Sequence, residues 1–199
     1  MKKTILALLA LVLLFSVPVF AKNTYYFAGD TVFTIKAGVD FPAFIAFYND
    51  PERRTVAFKD THINMGGYAS ISYQGYLNER FALGGELAYV FNYSHSSLLL
   101  TTVPITARLT YVPVQTGKFD IGMSLNLGGA FIRYNEGKYF SPFVSLTLTP
   151  TFFINENWGF GVEGGLMLTA EMYSKNSNKY KSSAFAGLMP VTLAITYRH

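Results

Sequence analysis

A strict two-residue alternation runs through most of the chain after residue 22. In the segment 119–131 the odd positions carry Phe, Ile, Met, Leu or Gly, and the even positions carry Asp, Gly, Ser, Asn or Ala. Because successive side chains of a β-strand point to opposite faces, this pattern predicts a strand with one strongly apolar face. The other face carries small or weakly polar side chains.

The same alternation recurs and predicts eight strands. Each is close to or longer than the ~10 residues of a tilted membrane strand and longer than the usual ~5–6 residues of a soluble one. No apolar run after residue 22 reaches the ~18–20 residues of a membrane-spanning helix. The predicted strands are at 31–41, 63–77, 81–93, 99–111, 119–133, 142–154, 158–172 and 184–198.

The second face distinguishes two kinds of eight-stranded barrel. A soluble barrel of lipocalin type would face water with Lys, Glu and Arg, but only 14% of this chain is charged, against about 25% in average proteins. Gly, Ala, Ser, Thr and Asn fit the crowded interior of a narrow barrel. We therefore predict an all-β fold: a closed, antiparallel, up-and-down transmembrane β-barrel with its apolar face outward.

The N-terminus predicts export. Lys2 and Lys3 precede an apolar run at 5–15, and Val19-Phe20-Ala21 supplies small residues at cleavage spacing, which together are typical of a signal peptide. An uncleaved anchor is the alternative, but the run is shorter than a membrane span. We expect a cleavable signal-peptide helix at 1–21 and a barrel domain at 22–199. Loss of the two lysines lowers the formal charge of +4 by two.

Connection lengths predict the orientation. Short connections at 78–80, 112–118 and 155–157 alternate with longer ones near 42–62, 94–98, 134–141 and 173–183. Outer-membrane barrels have short periplasmic turns and longer external loops. The segments 77–86 and 154–163 also repeat one another, with an Asn-Glu pair and a later Gly-x-Glu. The parity of the flanking faces requires three-residue turns and points Glu86 and Glu163 into the lumen at matching depth.

These features resemble the small outer-membrane barrels, the group of OmpW, OmpX and the OmpA membrane domain. The resemblance covers 22–199 and implies the outer membrane of a diderm bacterium, with outer-membrane lipid, periplasmic chaperones and the barrel-insertion machinery as partners. The last strand resembles the C-terminal assembly signal, which usually ends in Phe. Its residues here are Leu193, Ile195, Tyr197 and His199.

Charged residues on the inward parity form the first candidate site. Carboxylates in a low-dielectric interior need partners, so a luminal charge network is expected. It would be a structural plug or, alternatively, a gate that opens when ion pairs exchange. Its predicted members are Lys36, Glu86, Arg108, Glu163 and Glu171.

The first external connection is the second candidate site. It is aromatic enough to extend the strand, to cover the mouth, or to form a hydrophobic entrance for a small molecule, which is what an OmpW-like resemblance implies. The candidate entrance is Phe41, Phe44, Ile45, Phe47 and Tyr48. A basic external rim, suited to anionic headgroups or simply solvated, is predicted at Arg53, Arg54, Lys175, Lys179 and Lys181.

Catalysis has weak support in the sequence. His62 and His95 would stand near each other at the outer ends of neighbouring strands, with Asp60 and Ser94 close by. Nothing fixes a base against a nucleophile, and no Gly-x-Ser-x-Gly elbow exists. No cofactor, metal or nucleic acid is expected, because there is no cysteine and no basic recognition element.

The sequence therefore predicts a non-enzymatic outer-membrane barrel with a side-chain-filled lumen. Its expected role is structural, or the passage of small solutes, hydrophobic ones among them. The alternative is a surface adhesin or host-interaction protein that acts through basic, Tyr-rich external loops.

Overall fold

A computed structural model describes residues 26–50, 52, 55–134, 137–171 and 183–199. The predicted signal peptide lies outside these residues. A short 3-10 helix, Phe58–Thr61, follows β2. The strands are β1 (Thr31–Phe47), β2 (Val56–Ala57), β3 (Gly66–Tyr76), β4 (Phe81–Tyr93), β5 (Leu99–Thr116), β6 (Phe119–Tyr134), β7 (Gly137–Phe153), β8 (Trp158–Glu171) and β9 (Ala184–Arg198).

The strands close into one antiparallel barrel. From β3 to β9 each long strand pairs with the next, β1 pairs with β3, and β1 also pairs with β9 along nearly its whole length. The two-residue β2 pairs only with the outer end of β1. The predicted eight-stranded up-and-down barrel is confirmed. Within the described part of the chain, no helix has the length and apolarity needed to cross a membrane.

The polarity of the wall is inverted relative to a soluble protein. Ser124 and Asn126 point inward and are 2% and 3% exposed. On the same sheet, Leu127 is 52% exposed and Leu146 is 62% exposed. A barrel this narrow is filled by its own side chains, so the large apolar residues must lie on the outside, as the alternation predicts.

Two predicted connections are shorter than expected. The one predicted at 112–118 is wrong, because β5 continues to Thr116 through a β-bulge between Tyr111 and Val114. A bulge accommodates Pro113, which cannot donate a ladder hydrogen bond. The long external connection predicted at 134–141 is also wrong, because β6 and β7 stay paired up to Tyr134 and Gly137.

Both predicted three-residue turns are present, at 78–80 and 155–157. In each, an asparagine at the first turn position accepts hydrogen bonds from the backbone amides two and three residues later. The distances are 2.9 and 2.9 Å at Asn78, and 3.0 and 2.8 Å at Asn155. This side-chain mimic of a turn explains why the two segments share an Asn-Glu pair.

A β-bulge in β1 reverses which residues face the lumen. The register of β1 against β9 shifts between Pro42 and Phe44. Below the bulge, even residues such as Asp40 are buried inside, whereas Ala43 is the buried residue at the bulge itself. The outer end of β1 therefore presents its odd residues inward, contrary to an unbroken alternation.

Candidate functional site

Four charged side chains meet in the middle of the lumen. Lys36 Nζ donates to Glu86 Oε1 at 2.7 Å and to Glu163 Oε1 at 2.8 Å. Arg108 donates to Glu86 Oε2 through Nη1 and to Glu163 Oε2 through Nη2 at 2.8 Å. The two cations and two carboxylates form a closed, charge-balanced ring, which we call the ion cluster. All four residues are buried.

The hairpin repeat brings the two carboxylates to the same depth. Glu86 and Glu163 follow matching turns, and a glycine stands two residues before each. A Cβ at Gly84 would lie 1.9 Å from the Tyr73 carbonyl oxygen, and one at Gly161 would lie 2.7 Å from the Pro150 carbonyl oxygen. Only glycine permits this close approach to the neighbouring strand.

Hydroxyl groups complete the cluster. The Tyr68 hydroxyl donates to Glu86 Oε1 at 2.7 Å, and the Thr149 hydroxyl donates to Glu163 Oε2 at 2.8 Å. Each carboxylate oxygen thus accepts at least one hydrogen bond, which a buried charge requires. Sequence reasoning missed both hydroxyls, although both have the inward parity.

Glu171, the fifth predicted luminal charge, is not part of the ion cluster. It lies at the outer end of β8, eight residues beyond Glu163, which at ~3.3 Å per residue is about 26 Å along the strand. It lines the cavity at the outer mouth instead. Inward parity alone does not report depth, and depth separates these two carboxylates.

An apolar layer closes the lumen on the outer side of the ion cluster. Its members have the inward parity, and all except Ala88 and Ala130 are larger than the small residues expected there, so the lumen is not lined only by small, weakly polar side chains. Leu100 and Tyr139 pack against it from above. The layer consists of Tyr68, Ala88, Val90, Ala130, Ile132, Phe143, Met167 and Leu188.

A tyrosine from before the first strand closes the inner end. The Tyr26 ring stacks on Tyr76 with centroids 3.9 Å apart and meets Phe153 edge-on at 6.2 Å. Its hydroxyl donates to Asp120 Oδ2 at 2.8 Å. Burial, followed by the nearby Asp120 carboxylate, raises the pKa of the Tyr26 hydroxyl, so it stays a neutral donor. Sequence reasoning missed this plug because Tyr26 precedes the alternating pattern.

Replacing Tyr26 by Phe should lower the free energy of unfolding by about 1–2 kcal/mol, because a buried carboxylate oxygen loses a donor. Urea unfolding of the refolded barrel measures the change. Tyr73→Phe is the matched control, since Tyr73 is 58% exposed on the outer face. Equal stability of the two variants would show that the Asp120 contact contributes nothing.

Only a small cavity separates the Tyr26 plug from the ion cluster. Its volume is about 50 Å³, and its walls include Gln74, Thr110 and Ser124. That volume suits one or two water molecules. In the described part of the chain, the lumen is therefore closed by three successive layers: plug, ion cluster and apolar layer.

A much larger cavity, which we call the outer cavity, lies above these layers. Its volume is about 1000 Å³, which is the size range of small-molecule sites. Ile45, Leu100 and Tyr139 give it apolar walls, and polar groups occur on the side of the β3 and β4 ends. The lining comprises Ile45, Phe47, Thr61, His62, Ile63, Ser94, His95, Ser96, Leu100, Tyr134, Gly137, Lys138, Tyr139, Phe140, Pro142, Thr169, Ala170, Glu171, Ala184 and Ala186.

The structure divides the candidate hydrophobic entrance between the two faces of the wall. Ile45 and Phe47 line the outer cavity. Phe41 and Phe44 face outward, and the Phe44 ring covers Gly187, where a Cβ would lie 2.5 Å from it. Tyr48 packs against Phe185 with ring centroids 4.9 Å apart. The bulge in β1 is the reason, because it interrupts the alternation inside this segment.

Among the described residues, the backbone ladder between β7 and β8 is interrupted near the outer ends of the two strands. Their last pair is Phe143 with Thr169, although β7 continues outward through residues 137–142 and β8 through residues 170–171. Beyond that pair, the Ser141 side chain replaces the ladder: its Oγ accepts from the Ala170 amide at 3.0 Å and donates to the Ala170 carbonyl at 2.6 Å. Pro142, which has no amide hydrogen, stands at this point. We call this gap the β7–β8 opening.

The outer cavity reaches the β7–β8 opening. Phe140 and Pro142 belong to its lining, yet both lie on the outward parity of β7, and Phe140 is 64% exposed. The Phe140 ring lies over Gly129, where a Cβ would come within 1.9 Å of it. Residues of both wall faces thus border one cavity.

The two predicted neighbouring histidines do meet at the mouth. The His62 and His95 ring centroids are 6.3 Å apart, and the His95 amide donates to the His62 carbonyl at 2.8 Å. The Ser94 hydroxyl accepts from the Leu98 amide at 3.1 Å. Among the described residues, no three His, Asp or Glu side chains gather as a metal site would require.

The remaining predicted residues are at the rim and the C-terminus. The basic rim, Arg53, Arg54, Lys175, Lys179 and Lys181, lies outside the described residues. Leu193 and Ile195 face outward, and Tyr197 packs on Trp158 with ring centroids 4.9 Å apart. The His199 amide donates to the Thr31 carbonyl at 2.9 Å, so the last residue takes part in the seam.

Comparisons with known proteins agree with this architecture. A protein-family model matches residues 13–197, and no curated protein sequence matches. The outer membrane protein OprG from Pseudomonas aeruginosa aligns with a TM-score of 0.50 at 12% identity, over 89% of this chain and 99% of that one. Neisserial surface protein A aligns with a TM-score of 0.52 at 13% identity, over 85% and 96%. At such identities the likeness establishes the fold.

Proposed function

Since this chain belongs to the family matched over residues 13–197 and has the fold of the small outer-membrane β-barrels, we propose that it lets small, mainly apolar molecules enter the outer membrane of a diderm bacterium. The leader at 1–21 would direct export. Periplasmic chaperones and the barrel-insertion machinery would then deliver the barrel, reading the assembly signal proposed in β9.

The observation that carries the proposal is the outer cavity above a closed lumen. A cavity of about 1000 Å³ lies at the outer end of the barrel and has Leu100 and Tyr139 at its apolar floor. Below that floor lies the ion cluster, where an apolar molecule would have to displace four ion pairs. Breaking such buried pairs costs several kcal/mol, so the axial route is unfavourable.

The sideways route is the favourable one. At the β7–β8 opening, Phe140 and Pro142 connect the cavity to the outer face of the wall. A molecule leaving there enters hydrocarbon, which favours each CH₂ group by about 0.8 kcal/mol over water. Support comes from the outward side chains, since exposed leucines such as Leu146 and Leu193 suit contact with lipid tails.

The test is uptake of an apolar dye by Gram-negative cells that express the full chain, together with single-channel conductance of the purified barrel in planar bilayers. We expect faster dye uptake than in cells without the protein, because the lipopolysaccharide leaflet otherwise slows apolar solutes, and no stepwise ion current. Ion current without dye uptake would refute the proposal. An absence of both would favour the alternative role, a surface adhesin acting through its loops.

A further inference from the structure

We propose that the outer cavity holds its ligand by a carboxylate group bound between His62 and His95, so that the molecules accepted are small amphipathic carboxylates with one apolar end. This inference rests on the proposed function and names its substrate class.

The two histidines form a built platform. A main-chain hydrogen bond of 2.8 Å joins His95 to His62, and an isolated β-bridge pairs Ile63 with Ser94 beside them. His62 adopts a left-handed backbone, with φ of 55°, and caps the short 3-10 helix through a hydrogen bond from its amide to the Lys59 carbonyl at 3.2 Å. The Thr61 hydroxyl, which donates to the Phe58 carbonyl at 2.6 Å, fixes the preceding turn.

The platform faces the β7–β8 opening across the mouth. His62 precedes β3 and His95 follows β4, and the strand order places β3 and β4 four strands away from β7 and β8 in the ring of eight. With strands ~4.8 Å apart and tilted by ~40°, the ring is about 16 Å wide. Apolar side chains, among them Ile45 and Leu100, lie between. A ligand spanning the cavity would need a polar end at the histidines and an apolar end at the opening.

The spacing of the His62 and His95 rings favours a carboxylate over a zinc ion as the group bound between them. Two imidazoles on one tetrahedral zinc, with Zn–N bonds of about 2.0–2.1 Å, place their centres about 5 Å apart. The observed 6.3 Å is wider than that. A carboxylate, which has two acceptor oxygens, can take one N–H from each ring at about 2.8 Å, and the wider spacing accommodates it.

The charges on the other side of the cavity fix the orientation. The described lining residues there include Lys138 on β7 and Glu171 on β8, one of each sign. Within the described lining, that side therefore offers an anion no net attraction. The histidine platform, which presents ring N–H donors and no carboxylate in the described lining, is the favourable place for the anionic end.

The experiment compares hexanoate with 1-hexanol, which share one apolar tail and differ in the head group. Binding to the refolded full chain in detergent is followed by NMR, for the wild type and for the double variant His62→Asn/His95→Asn. Asn is chosen because it tolerates the left-handed backbone at 62. We expect hexanoate affinity to fall at least about tenfold and hexanol affinity to stay within about twofold.

His199→Asn is the matched control, because His199 lies at the inner end of the barrel, and it should bind hexanoate like the wild type. Each variant is first shown to fold by its heat-modifiable migration on gels. Equal binding of hexanoate and hexanol, unaffected by the double variant, overturns the carboxylate proposal and leaves the proposed uptake standing. Failure of both ligands to bind the wild type refutes the uptake role itself. Tight Zn²⁺ binding lost in the double variant, without hexanoate preference, also overturns the proposal.

Discussion

Oxidation of the double variant Ser141→Cys/Thr169→Cys should abolish dye uptake, and reduction should restore it. The Ser141 and Thr169 hydroxyl oxygens are 2.7 Å apart, close enough for a disulfide with an S–S bond of about 2.05 Å. The bond would pin β7 to β8 at the lower edge of the β7–β8 opening. The chain has no cysteine of its own, so this disulfide would be the only one formed.

The control applies the same chemistry elsewhere on the barrel. In Thr34→Cys/Thr196→Cys the parent hydroxyl oxygens are 3.2 Å apart, and the link joins β1 to β9 in the inner half of the wall. Uptake should be the same in its oxidised and reduced forms. If both disulfides form and the β7–β8 lock leaves uptake unchanged, solutes do not leave through the β7–β8 opening.

Glu86→Gln should lower the free energy of unfolding by about 3–5 kcal/mol, because it leaves an excess buried positive charge in the ion cluster. Glu86 accepts from Lys36, Tyr68 and Arg108, so one neutral amide must replace a carboxylate with three donors around it. The single tryptophan of the chain, Trp158, lies at the inner end of β8 and reports unfolding in urea by its fluorescence.

A double-mutant cycle separates lost charge balance from altered packing. Lys36→Met/Glu86→Gln removes one charge of each sign and leaves Arg108 paired with Glu163, so it should cost less than the sum of the two single changes. Glu79→Gln, in an exposed inner turn, is the control and should stay within about 0.5 kcal/mol of the wild type. Equal effects of Glu86→Gln and Glu79→Gln would remove any stabilising role from the ion cluster.

The alternation predicts most of the fold, because a barrel wall imposes a period of two on every strand. The depth of Glu86 and Glu163 in the lumen can be predicted, because each lies the same number of residues after one of two similar turns at the inner rim. No such turn precedes Glu171, which has the predicted inward parity but lies at the outer mouth and not at the level of the ion cluster. Tyr68 and Thr149 share the inward parity, but nothing in the sequence says that they are at the level of the ion cluster.

β-bulges are where the odd or even position of a residue no longer predicts which face of the wall its side chain occupies. Pro42 and Pro113 each lie next to a register shift, and beyond a shift every side chain changes face. Because the sequence does not show the shift in β1, it predicts one entrance containing both Phe44 and Ile45, although the two side chains lie on opposite faces of the wall. Pro104 and Pro190 lie in uninterrupted register, so a proline inside an alternating segment does not by itself mark a shift.

The pairing of the first strand with the last also constrains the order of events during biogenesis. The contact that seals the wall joins Thr31 to His199, 168 residues apart in sequence, so the wall cannot close until β9 has been synthesised. Contacts this distant in sequence form slowly, and meanwhile the two strands present unpaired edges that attract other chains. The completed polypeptide should therefore depend on a holding chaperone for longer than a protein whose strands pair only locally.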